Sequence, residues 1–126
     1  MRLLLDTHLL LWWLDASQSL PASARDLIRD PANMIFVSAV SLWEIWLKES
    51  LGKLRLPRDF ETKLVQEGFE SLPLTAAHTR LIARLPCHHR DPFDRMLVAQ
   101  ARSENLTLLT ADQSISAYGD FVLLTR

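Results

Sequence analysis

Arg2-Leu3-Leu4-Leu5-Asp6-Thr7 is an apolar run of strand length that stops at an acid, and Leu108-Leu109-Thr110-Ala111-Asp112 does the same near the other end of the chain. Neither run alternates apolar with polar residues. A strand that is apolar on both faces belongs in a parallel sheet covered on both sides, because crossover connections lay helices over each face. Outward from the first run, the Leu and Trp residues up to Leu14 suit a short helix. Pro21 to Arg29 starts with a helix-opening proline, turns Leu27 and Ile28 inward and closes at Asp30-Pro31. Ile35 to Val37 reads as a second strand. Ser41 and Glu44 have the S-x-x-E spacing of a capping box within the helix Ser38 to Ser50, whose start lies between Ser38 and Ser41 and whose stop is Gly52. Phe60 to Gln66 reads as a helix and Glu70 to Leu74 as a short strand. Thr75 caps a helix from Ala76 to Leu85, which Pro86 ends. Asp91-Pro92 sets a capping carboxylate before a proline and opens a helix reaching about Glu104. Leu106 to Thr110, a helical turn over Ser114 to Tyr118, and a last strand over Phe121 to Leu124 complete the chain. The alternation predicts an α/β fold, three layers α/β/α around a central parallel sheet, as one domain over residues 1–126.

Composition bounds the function. The chain is 48% hydrophobic and 23% charged, enough apolar side chain for a real core and too much for disorder. Fourteen Lys and Arg nearly balance fifteen Asp and Glu, which disfavours a surface that is basic all over and leaves room for a local basic face. The lone Cys87 has no internal disulfide partner and no Cys-x-x-Cys pair offers a zinc site, so a reducing cytoplasm is expected. The apolar stretch Leu9 to Leu14 is far short of the roughly twenty residues of a membrane span, and no secretory cleavage pattern follows it.

Ligands of open parallel sheets bind outside the carboxyl ends of the strands, near the point where strand order reverses. Asp6 and Asp112 fall at two such ends. Glu44 lies in the first turns of the helix after the second strand, and Asp94 in the first turn of the Pro92 helix. Four carboxylates at one edge suit Mg²⁺ or Mn²⁺, hard cations that take oxygen ligands and keep positions open for phosphate. Each acid alone has a plainer reading: Asp6 as a helix cap, Glu44 as half of a capping box, Asp91 as the cap of the Pro92 helix, Asp94 as a partner of that helix dipole. The set is less easily explained as four unrelated caps.

Leu3-Leu4-Leu5-Asp6-Thr7, Ser38-x-x-Ser41-Leu42-Trp43-Glu44-Ile45, Asp91-Pro92-Phe93-Asp94-Arg95-Met96-Leu97-Val98-Ala99-Gln100-Ala101 and Leu109-Thr110-Ala111-Asp112 resemble, in order and spacing, the successive motifs of the PIN-domain family, and within it the VapC-type toxins of toxin–antitoxin pairs. The resemblance implies a Mg²⁺- or Mn²⁺-dependent endoribonuclease with Asp6, Glu44, Asp94 and Asp112 as catalytic and metal-ligating acids. Asp94 is preferred to Asp91 because the apolar-Ala-x-Ala stretch follows it. Thr7 and Thr110 match the hydroxyl positions beside the first and last acids, where they would orient a carboxylate or water. It also implies a homodimer and a small antitoxin whose C-terminal segment blocks the acidic site.

An RNA substrate needs cations. Residues 48–63 carry Lys48, Lys53, Arg55, Arg58 and Lys63, and Arg90 and Arg95 lie nearest the acids as candidate RNA contacts. His88 and His89 share that loop without an assigned role, and the four tryptophans divide between core and a partner-facing groove. The alternative function is a non-catalytic RNA-binding or protein-interaction module with the same fold. A haloacid-dehalogenase-type phosphatase would need a second Asp where His8 stands. A phosphoacceptor receiver domain would need a late Lys, yet the last one is Lys63.

Overall fold

The structure is a computed structural model that describes residues 1–126. Its elements are β1 (Arg2–Leu5), α1 (Thr7–Leu14), α2 (Ala22–Arg29), β2 (Met34–Ser38), α3 (Ala39–Ser50), α4 (Phe60–Gln66), β3 (Glu70–Leu72), α5 (Ala76–Ile82), α6 (Pro92–Glu104), β4 (Thr107–Thr110), a 3-10 turn over Gln113–Tyr118, and β5 (Val122–Leu124). All five strands are parallel, in the order β3-β2-β1-β4-β5, so the three-layer α/β/α expectation holds. Strand order reverses between β1 and β4, where Leu3 pairs with Thr107 and Leu5 with Leu109.

The pleat of β1 divides the core. Leu3 and Leu5 join a cluster with Leu9 and Leu10 of α1, Ile28 of α2 and Phe60 of α4, while Leu4 joins Leu97 and Val98 of α6 and Leu108 of β4 on the opposite face. All three β1 leucines are essentially fully buried, each contributing about 1.5–3 kcal/mol of apolar transfer. Helix α3 serves both faces, sending Ile45 to the first cluster and Val40 to the second.

Three local expectations are corrected. Ser38, not Ser41, caps α3, its hydroxyl accepting the Val40 N–H, so Ser41 and Glu44 form no capping box. The capping box is instead at α5, where Thr75 and His78 satisfy each other's backbone N–H groups. Helix α5 ends at Ile82 rather than Leu85, because the Arg95 guanidinium takes the carbonyls of Ile82, Leu85 and Pro86. Strand β3 ends at Leu72, since Pro73 has no N–H for the ladder and its carbonyl goes to Gln100. No helix is long and apolar enough to cross a membrane.

Candidate active site

The carboxyl ends of β1 and β4 meet where strand order reverses, and there the Asp6 amide donates to the Leu109 carbonyl at 3.1 Å. Asp6 leaves β1 and caps α1: Oδ1 accepts the Leu9 N–H at 2.8 Å, and Oδ2 accepts the Thr110 hydroxyl. Thr110 Oγ1 in turn accepts the Asp112 N–H at 3.0 Å, so one hydroxyl at the end of β4 ties the first acid to the last. The Thr7 hydroxyl donates to Ser41 Oγ at 3.0 Å, fastening α1 to α3.

Glu44 projects from α3 with its side chain only 3% exposed. Its Oε2 accepts from Lys48 Nζ at 2.7 Å, one helical turn on, while Oε1 is buried with no hydrogen-bond partner at all. A carboxylate oxygen in that state is costly unless a ligand completes it. The bond to Glu44 holds the Lys48 ammonium above its ordinary pKa, reinforced by the charges of Glu44, Asp91 and Asp94.

Asp91 caps α6 as the sequence suggests, Oδ1 accepting the N–H groups of Phe93 and Asp94. Asp94, one turn into the helix, is the strained member of the group. Burial, then the charges of Asp91, Asp6 and Glu44, push its carboxyl up to about 7, with His89 opposing. Burial likewise raises Asp6 against the pull of its Thr110 and Leu9 hydrogen bonds and of His8. Asp112 differs: burial acts to raise it, but two Ser114 bonds and His89 outweigh that and hold it below the usual carboxylate range. Depth explains the difference, since the Asp112 side chain is 44% exposed and that of Asp94 only 13%.

His89 is the residue that sequence reasoning left without a role. Its Nδ1 accepts the Asp91 N–H at 3.0 Å, so Nε2 carries the hydrogen and points it at Asp112 Oδ2, 3.1 Å away, and Asp94 Oδ2, 3.3 Å away. The His89-x-Asp91 spacing was the available signal, because a ring nitrogen readily meets the amide two residues on. His89, Asp94 and Asp112 offer donor atoms within 4.8 Å of one another, and the charges of Asp6 and Glu44 both act on Asp94. Of the candidate RNA contacts, Arg90 is exposed and makes no side-chain bond, whereas Arg95 is turned away into the α5 carbonyls and the Tyr118 hydroxyl.

The buried acids repel one another, and the unpartnered Oε1 of Glu44 adds a vacant acceptor. The acids offer hard oxygen donors, and His89 adds a ring nitrogen to the grouping with Asp94 and Asp112. That combination fits a divalent cation.

A family model described as PIN domain matches residues 3–120. A relative named ribonuclease VapC22, from Mycobacterium tuberculosis, is 28% identical over 118 residues, covering 91% of this chain and 90% of its own. Among solved structures, VapBC2 from Rickettsia felis bound to a promoter DNA fragment superposes with a TM-score of 0.71 at 19% identity, over 98% of this chain and 97% of that one. FitAcB from Neisseria gonorrhoeae gives a TM-score of 0.56 at 18% identity, over 98% and 96%.

Proposed function

The chain belongs to the PIN-domain family, and from that membership together with the buried acid cluster we propose that it is a metal-dependent endoribonuclease, the toxin of a toxin–antitoxin pair. The observation that carries this reading is Glu44: a buried carboxylate with an open Oε1, beside two further buried or half-buried acids raised in pKa. Asp6, Glu44, Asp94 and Asp112 would hold Mg²⁺ or Mn²⁺. When bound, the cation neutralises charge on the scissile phosphate and makes water acidic enough to supply the nucleophile. The remaining work belongs to the chain. Thr110 fixes Asp6 and Asp112 relative to each other, Lys48 orients Glu44, and His89 holds Asp94 and Asp112 at one spot. Arg90, exposed and without a side-chain bond, would meet a phosphate.

The ribonuclease name of the relative supports the substrate, and the VapBC2 complex supports a small antitoxin partner. A homodimer completes the proposal: Trp43 and Leu47 of α3, with Leu51 just past its end, leave an exposed apolar stripe at helical spacing. A non-catalytic module is disfavoured by the same acids, which repel phosphate unless a cation sits among them.

The test is cleavage of mixed RNA by wild type, Asp6→Asn and Asp94→Asn in Mg²⁺, Mn²⁺ or EDTA. Cleavage by wild type that EDTA abolishes, and that each variant slows about 10²–10³-fold, is the expected outcome. RNA binding without metal-dependent cleavage would establish the module instead.

A further inference from the structure

Beside the acids lies a cleft of about 390 Å³ that the catalytic reading leaves unused. Thr7 and Glu44 form its inner end, and it runs outward between α1, α3 and the segment leading to α4. That segment alternates: Leu54 and Leu56 pack against the core, while Lys53 and Arg55 are exposed. The alternation pins the backbone and turns two cations to the cleft. Neither has a carboxylate within ion-pair distance, unlike Lys48, which Glu44 occupies. The opposite wall carries aromatic rings, with His8 and Trp12 one helical turn apart on α1, their centroids 6.0 Å apart and tilted at 43°.

Unpaired cations in a cleft that also carries two aromatic rings and reaches Glu44 at its inner end have the chemistry of a single-strand groove, where bases stack and phosphates are held by charge. We propose that this cleft binds the stretch of single-stranded RNA adjoining the scissile bond, with a base against Trp12 and His8 and phosphates on Lys53 and Arg55. The proposal rests on the ribonuclease reading. Two cations without carboxylate partners favour a polyanion over a protein segment as the occupant.

Binding of a fluorescent single-stranded RNA of about 12 nucleotides, a length within the usual site sizes of such grooves, tests this in the Asp94→Asn chain, so that cleavage does not intervene. Lys53→Ala/Arg55→Ala weakens binding about tenfold or more at low salt and lowers the salt slope by about 1.4, the contribution of two phosphate contacts to a single strand. Trp12→Leu, which keeps apolar bulk against the core, weakens binding about tenfold with the slope unchanged. Melting temperatures show whether each variant is folded, and the exposed Lys53 and Arg55 serve if Trp12→Leu is not. RNA affinity unchanged in the double variant overturns the proposal and leaves the cleft to a protein partner. The two readings fail separately: cleavage with cleft-independent affinity removes only the groove, and cleft-dependent binding without any wild-type cleavage removes only the nuclease.

Discussion

Thr110 is where a single hydroxyl does most for the site. It donates to Asp6 and accepts from the Asp112 amide, so Thr110→Val should free both acids while leaving the β4 core volume nearly unchanged. Loss of such a supporting partner typically costs about 10–100-fold in metal affinity, and calorimetric titration with Mn²⁺ would read it. Asp91 separates two roles that its position combines. Asp91→Ser keeps an oxygen for the Phe93 and Asp94 amides and removes a charge that raises Asp94, so the Asp94 carboxyl should titrate below about 7 in an NMR experiment with the helix intact. An unmoved Asp94 titration would mean that burial and the charges of Asp6 and Glu44 set its value without Asp91. At this scale Asp6 and Asp112 were legible from their places after apolar runs, and Glu44 and Asp94 from their places in the early turns of helices. Their supports were less so: the His89 ring depends on a loop conformation that no periodicity announces, and the Thr7 hydroxyl meets Ser41 only once α1 and α3 are packed together.

At the scale of elements, the strands and the helices α1, α3 and α6 follow from apolar runs and caps, because a fully buried parallel strand has nothing but apolar side chains to display. The ends were misread where tertiary partners decide them. Helix α5 stops short of Leu85 because Arg95, from α6, satisfies the carbonyls that another turn would have used. Arg95→Met should therefore loosen the connection from Ala83 to Asp91, seen as faster amide exchange there, while the β1 and β4 amides stay protected. Since His89 lies in that connection, the variant should also weaken Mn²⁺ binding. Equal exchange in both proteins would show that the loop is held by other contacts. Residues 53–56 were legible as basic, but their inward leucines were not, because a four-residue alternation outside a sheet has no period to recognise.

For the whole molecule, near-neutral charge conceals a separation: acids collected at the β1/β4 edge, unpaired cations along the neighbouring cleft. Collecting acids has a cost that varies with pH. Asp94 titrates near 7 in the fold against 3.8 as its ordinary value, so between those values the folded state binds more protons than the unfolded one. Its contribution to stability is complete below about pH 4, falls as pH rises, and is gone above about pH 7. Asp6 acts in the same direction, while Asp112, lowered, acts only at more acid pH. The metal-free protein should thus melt at a lower temperature at pH 7.5 than at pH 5, Asp94→Asn should flatten that fall, and Mn²⁺ should stabilise most where the acids are ionised. A metal-free stability that climbs from pH 5 to 7.5 would contradict the crowding of charge inferred here.

That crowding has one purpose in this account, to hold a divalent cation. Calorimetric titration of Mn²⁺ into the EDTA-treated protein at pH 7.5 measures it directly, with Asp6→Asn and Asp94→Asn beside wild type. Saturable binding by wild type that weakens at least about tenfold in each variant is expected. Wild type that takes up no Mn²⁺, or variants that bind it as tightly, would refute the metal centre and with it the proposed chemistry.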